Sequence, residues 1–286
     1  EHVSLIKKDV PYFSFVLCLV IVYSCQNTSQ ENLNQPNLVF AVTDLSIGKN
    51  RLAFGIIQSG KGSLTPDNVV VETYFLDGNS EELIEKTIAV PYLWPNNKTV
   101  FVTEVNFHQS GKWGIGVKLA ENIQTSAFLE VKQKSLTPDV GEKAIQSQTK
   151  SASSLQNIAS ITSDNNPYLP FYESTLIEAL NSKTPTVLFF TSPGYCKTAT
   201  CGPQMQVMKN LHQKTPDVNF VHIEIYNNPS EIQGNLSSAE VSQPVYDWSI
   251  PSEPWTFLIN SNQIITAKFE GFVSKNELLF YLQSLN

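Results

Sequence analysis

Residues 184–192, TPTVLFFTS, carry four consecutive apolar side chains, Val187 to Phe190, between threonines. A strand with one wet face alternates apolar and polar residues; this one does not, so both of its faces must be covered. It predicts a central strand with helical layers on either side. The flanking sequence supplies them. Residues 172–183 suit a helix with Leu176, Ile177 and Leu180 on one side. Residues 202–215 suit another, with Pro203 near its start, where proline is tolerated, and Met205, Met208 and Leu211 at helical spacing. A second apolar strand is expected at 218–226, VNFVHIEIY, and a partly helical stretch at 237–248. Strands at 255–260 and 263–271, joined by Ser261-Asn262, then precede a terminal helix at 274–285 with Ser274 at its N-cap.

The first half of the chain has a different period. Short alternating strands are predicted at 51–58, 68–80, 99–107, 112–120 and 126–133. In TVFVTEVNF, Phe101, Thr103, Val105 and Phe107 share one face; in KWGIGVKLA, Trp113, Ile115, Val117 and Leu119 do. Turn chemistry such as SGKGSLTPDN and Asp77-Gly78 separates them. Strands at this spacing without helical segments between them predict an all-β sandwich over 38–134. The Gly111-Lys112-Trp113 stretch ahead of an alternating strand resembles immunoglobulin-like envelope domains. Residues 135–166, rich in Ser, Thr, Gln and Asn, read as a linker to a second domain at 167–286, either free or laid on one domain.

The N-terminus carries a targeting pattern. Lys7 and Lys8 precede an apolar run from Tyr12 to Tyr23, too short for a comfortable membrane span. The run ends in Val22-Tyr23-Ser24-Cys25, which resembles a bacterial lipoprotein signal. We therefore expect residues 1–25 to act as a signal, Cys25 to be the lipidation site, and 26–37 to be a tether. The alternative is an ordinary signal peptide, or a short anchor, with Cys25 incidental. Either reading puts the folded part outside the cytoplasm, where disulfides persist, and the lipoprotein reading anchors it to the bacterial cell membrane. Nucleic acid is not expected as a partner: the net charge is −7 and Arg51 is the only arginine, whereas phosphate recognition calls for a basic surface with arginine forks.

The order of elements after residue 167 has a further signature. An apolar strand runs into SPGYCKTATCGP and then a helix, and Pro254 stands immediately before the strand WTFLI. In this layout residues 167–286 resemble the thioredoxin fold, a mixed central sheet flanked by helices. The resemblance implies a cis peptide at Pro254, facing the cysteine loop, with Glu253 before it; Pro251 is the competing position. It also implies that Pro254 and Glu253 offer backbone to a substrate peptide and that Tyr195 lies beside the active cysteine. The thioredoxin motif Cys-Gly-Pro-Cys is altered: Cys201-Gly202-Pro203 is kept, but Gln204 stands where the second cysteine belongs, and the other thiol is upstream at Cys196.

With no proline among the four intervening residues, a Cys196–Cys201 disulfide is expected under oxidising conditions. So small a loop adds only about 2 kcal/mol in the chain-entropy model, which favours a redox role over a purely structural one. The working expectation is thiol–disulfide exchange with envelope proteins that carry thiols or disulfides, Cys201 attacking as a thiolate favoured by the helix N-terminus and Cys196 resolving. The reverse assignment stays open, since Cys196 could be the more exposed. An inert disulfide in a binding or scaffold protein is the second reading. Copper binding through the two thiols is the third. His222 and His212 are expected to be structural, and no cofactor or metal site is predicted.

Overall fold

The computed structural model describes residues 35–77, 80–119, 124–158 and 160–283. The expected signal, Cys25 and most of the expected tether lie outside the described residues. Among the described residues no helix is long and apolar enough to cross a membrane.

Among the described residues, eight strands make up the N-terminal part: β1 (Pro36–Phe40), β2 (Gly48–Gln58), β3 (Gly62–Ser63), β4 (Val69–Asp77), β5 (Ser80–Trp94), β6 (Lys98–Phe107), β7 (Gly111–Leu119) and β8 (Gln124–Val131). They follow one hydrogen-bonded path, β1-β2-β6-β5-β4-β7-β8, with β3 added to β2. This differs from the two separate layers of an immunoglobulin-like sandwich. The reason is β5, whose first half pairs with β4 and whose second half, from Val90, pairs with β6. One long strand thereby belongs to both halves of the sheet. The ends of the path also come together. Thr125 Oγ1 donates to Pro36 O at 2.6 Å, so the seven-stranded path is nearly closed. The predicted alternation does hold on β6 and β7: Phe101, Val105, Phe107, Trp113, Ile115 and Val117 are all buried in one core.

The rest of the chain adds α1 (Leu155–Ile158), α2 (Leu176–Asn181), β9 (Thr186–Thr191), α3 (Cys201–His212), β10 (Asn219–Glu224), α4 (Pro229–Ile232), α5 (Gln243–Asp247), β11 (Trp255–Ile259), β12 (Ile265–Glu270) and α6 (Lys275–Leu282). Its sheet has the order β10-β9-β11-β12. β9 and β10 are parallel, and β11 runs antiparallel to β9 and to β12. Every residue of β9 is buried, as its unbroken apolar run requires. Val187 and Phe189 enter a core shared with Met205, Met208 and Leu278 of α3 and α6. Leu188 and Phe190 enter the opposite core, with Leu176, Leu180 and Val245 of α2 and α5. This is the three-layered thioredoxin-like fold that the resemblance implies.

Local signals fix several boundaries. A capping box, with Thr175 and Glu178 satisfying each other's backbone, starts α2 later than apolar periodicity alone indicates. Ser274 accepts from Glu277 N and starts α6 as expected. The stretch read as a linker lies against the sheet: Ala152, Ile158 and Ile161 are buried in the core on the α3 side and Ala144 in the other. Among the contacts that join the barrel to β12 and α6 are two at buried carboxylates. Glu270 accepts from Thr43 N at 2.6 Å, Thr43 Oγ1 at 2.7 Å and Asp44 N at 3.0 Å. Arg51 forks onto Glu277 at 2.5 and 3.0 Å.

Candidate functional site at the mouth of helix α3

β9 ends at Thr191, and the chain must then turn to enter α3. Ser192 O accepts from both Tyr195 N, at 2.9 Å, and Cys196 N, at 2.8 Å, which folds the loop back on itself. Gly194 lies against the 135–166 stretch: its N–H donates to Ser163 Oγ at 3.0 Å. A Cβ at that position would stand 2.7 Å from Ser163 O, so no larger residue fits there without displacing backbone. Tyr195 OH donates to Pro229 O at 2.7 Å, and its ring meets Tyr226 edge-on. Tyr195 thus ties the loop to α4.

The folded-back loop brings the two cysteines together. Cys196 and Cys201 form a disulfide with their Cα atoms 6.1 Å apart. Cys201 is the first residue of α3 and is fully buried; Cys196 is half-buried. Both sulfurs sit at the helix N-terminus, where free N–H groups favour a thiolate once the bond is reduced.

The peptide Glu253–Pro254 is cis, and among the described residues it is the only cis peptide, so Pro254 rather than Pro251 occupies that position. Pro254 O accepts from Gly271 N at 2.9 Å and is engaged in the start of the β11–β12 ladder. The Glu253 side chain reaches the cysteines. Its Oε2 lies 3.6 Å from Cys201 Sγ. Ser192 holds the carboxylate, through N–H to Oε2 at 2.6 Å and through Oγ at 2.7 and 2.6 Å to the two oxygens. Burial raises the Glu253 pKa, opposed by the Ser192 hydrogen bonds. Sequence reasoning assigned Glu253 only a backbone role and missed this carboxylate.

A second carboxylate went unread. Glu224 ends β10 opposite Thr191 on β9 and is buried. Its Oε2 accepts from Ser163 N at 2.7 Å and Ser163 Oγ at 2.8 Å, while Oε1 has no hydrogen-bond partner among the described residues. Burial, aided by the charge of Glu253, raises its pKa to about 7. The signal was available, since Glu224 interrupts the apolar run VNFVHIEIY with a charge.

Other expectations resolve into structural roles. Gln204, at the altered motif position, is fully buried and joins α3 to the loop before α6: Val273 N donates to Gln204 Oε1 at 2.8 Å, and Gln204 Nε2 donates to Val273 O at 3.4 Å. His222 lies between Tyr172 OH, at 2.7 Å from Nδ1, and Thr191 Oγ1, at 3.0 Å from Nε2. Its burial lowers its pKa to about 4, so it is neutral at physiological pH. His212 packs with Tyr168 and Phe220. A groove of about 630 Å³ opens beside the disulfide, lined by Lys197, Thr198, Tyr226, Tyr246, Ile250 and Glu253 among others.

No protein-family model matches the chain, and no curated protein matches it. The sheet order and the disulfide at the N-terminus of α3, the helix that follows β9, are the features of a thioredoxin-like fold. Solved structures similar to this chain include a candidate DsbE thiol:disulfide interchange protein from Chlorobium tepidum (13% identity, 51% of this chain and 97% of that one, TM-score 0.36). A thioredoxin-family thiol:disulfide interchange protein from Chlorobium tepidum TLS is another (13% identity, 50% and 99%, TM-score 0.32). A third is a DsbF homologue from Corynebacterium diphtheriae (15% identity, 48% and 99%, TM-score 0.31).

Proposed function

We propose that this protein carries out thiol–disulfide exchange with proteins of the bacterial cell envelope, through Cys196 and Cys201. The observation that carries the reading is the asymmetry of the disulfide: Cys196 is half exposed beside an open groove, and Cys201 is buried at the helix mouth. Burial argues for reversing the working assignment. A substrate sulfur must approach along the S–S axis, and only Cys196 can be reached from outside.

In the oxidising direction a substrate thiolate attacks Cys196 Sγ. The Cys196–Cys201 bond breaks, its electron pair stays on Cys201, and a mixed disulfide forms through Cys196. A second substrate thiol then attacks its own mixed-disulfide sulfur and releases Cys196 as a thiolate. The substrate dithiol has lost two electrons and the protein disulfide has gained them. The reducing direction is the reverse, with Cys201 attacking Cys196 to release substrate. Glu253 Oε2, 3.6 Å from Cys201 Sγ, is the group through which Cys201 gains or loses its proton. The proposal includes a lipid anchor at Cys25 and an extracytoplasmic location, resting on the sequence of the N-terminus.

The test is trapping. Cys201→Ser should accumulate a mixed disulfide when its Cys196 thiolate attacks a disulfide-bearing protein substrate, whose own S–S bond breaks and leaves one substrate thiolate, and Cys196→Ser should accumulate little. Equal absence of adducts in both variants, with no exchange by the wild type, would leave the disulfide as an inert cross-link.

A further inference from the structure

Three side chains from three different places converge at the helix mouth: Cys196 from the loop, Cys201 from α3 and Glu253 from the cis-proline segment. Their ligand atoms all lie within 4.8 Å of one another. We propose that the reduced form of this site binds a zinc ion through the two thiolates and the Glu253 carboxylate, with a fourth position open to solvent. This goes beyond the exchange reading and does not depend on it.

The geometry can be compared with a tetrahedral zinc centre. Zn–S bonds of about 2.3 Å and Zn–O bonds of about 2.0 Å set the S···O edge at about 3.5 Å and the S···S edge at about 3.8 Å. The Cys201 Sγ to Glu253 Oε2 distance is already 3.6 Å, close to that edge. Cys196 Sγ also lies within 4.8 Å of the carboxylate, and reduction frees the two sulfurs to separate. The carboxylate is held in place by Ser192 from both its N–H and its Oγ. Outer partners of this kind orient a ligating carboxylate and commonly matter for affinity. The groove that contains Lys197, Thr198, Ser252 and Glu253 gives the ion a route in from solvent and room for a water as fourth ligand.

The donor set favours zinc over copper(I). Two thiolates alone suit the softer ion, but a carboxylate oxygen is a hard donor that zinc accepts. Both histidine side chains of this half are otherwise engaged, His222 with Tyr172 and Thr191 and His212 with Tyr168. The steps balance. A dithiol reductant gives two electrons and two protons to the disulfide and is itself oxidised to a disulfide. Zinc then displaces the two thiol protons. The oxidised site has no thiolates to offer, so binding there is gated by the redox state.

The test uses the chain reduced by a dithiol, freed of reductant under anaerobic conditions, and titrated with Zn²⁺ against a competing chromophoric chelator. Co²⁺ serves as a spectroscopic substitute. One equivalent of metal per reduced chain is expected, with thiolate-to-cobalt charge transfer and tetrahedral ligand-field bands, and none per oxidised chain. Cys196→Ser and Cys201→Ser should each lose the charge-transfer signature of the pair. Glu253→Gln, which keeps the shape and the acceptor oxygen for Ser192, should weaken Zn²⁺ at least about tenfold, the scale on which even outer partners count. Its free-thiol count and thermal unfolding should match the wild type, separating ligand loss from misfolding. The proposal is overturned if the reduced chain binds no zinc, or if Glu253→Gln binds as tightly as the wild type, leaving only a dithiolate. Exchange activity is not read in this experiment, so its failure and the failure of the exchange reading are distinguishable.

Discussion

Arg51→Ala should unfold this protein at a much lower temperature, because it strands a buried charge between the barrel and the thioredoxin-like sheet. Arg51 and Glu277 have side chains only 8% and 3% exposed. The guanidinium donates through Nε and Nη2 to both Glu277 oxygens and through Nη1 to Glu270 O at 3.3 Å, and it lies over the Phe269 ring. Removing it leaves the buried Glu277 carboxylate without its counter-ion. Breaking one side of such a pair costs about 3–5 kcal/mol. A folded unit of this size loses about 2–4 °C per kcal/mol, so the midpoint should fall by roughly 6–20 °C. Replacing both partners by Met should recover most of the loss, since the pair itself contributes little net stability once its desolvation is counted. Arg51→Lys should fall between, keeping the charge without the fork. Thermal unfolding followed by circular dichroism, with urea titration for the free energies, reads all four proteins. The reasoning is refuted if Arg51→Ala costs less than about 1 kcal/mol, or if the double Met variant is as unstable as Arg51→Ala.

Two further outcomes follow from the neighbourhood of the disulfide. Glu224 has a folded pKa near 7 against an ordinary value of 4.5, so the stability it contributes is complete below about pH 4.5 and is lost as pH rises through 7. Glu224→Gln mimics the protonated form, and the Tm difference between variant and wild type should grow in favour of the variant across that window, towards at most about 3 kcal/mol; a difference that is flat with pH contradicts this. His222, depressed to about 4, titrates alike in both proteins and cancels in the comparison. Gly194→Ala drives a Cβ to 2.7 Å from Ser163 O. It should cost about 1–3 kcal/mol and speed reduction of the disulfide by dithiothreitol, because the loop loses its seat; unchanged stability and reduction rate would mean that the contact with Ser163 does not hold the loop.

What could be read from the sequence was whatever leaves a local signature. The unbroken run Val187 to Phe190 announces a strand covered on both faces, and β9 is buried at every position. The spacing of Met205, Met208 and Leu211 announces the buried face of α3. β5 escaped because its outward side chains include Glu81, Glu82, Ile88, Val90 and Leu93, all exposed, so neither face keeps a clean alternation. Pro91 within it also argues against a paired strand. The closure of the barrel depends on that strand and was hidden with it. At the site, the cysteines and Pro254 were legible from order along the chain. The carboxylates were not, because Glu253 reaches Ser192 and Cys201 across 61 and 52 residues of sequence. Nor was the seat of the loop: Ser163 belongs to a polar stretch whose composition is that of a linker, and only packing reveals that it contacts Gly194 and Glu224.

The central claim is that the Cys196–Cys201 bond is made and broken in use. Its reduction potential, measured by equilibration in thiol–disulfide buffers with alkylation and mass spectrometry as the readout, tests this most directly. The exchange account predicts a potential within the span of known exchange proteins, about −120 to −270 mV, together with thiol transfer to a protein disulfide that disappears in Cys196→Ser. A potential below about −300 mV, with no thiol transfer by the wild type, would contradict it.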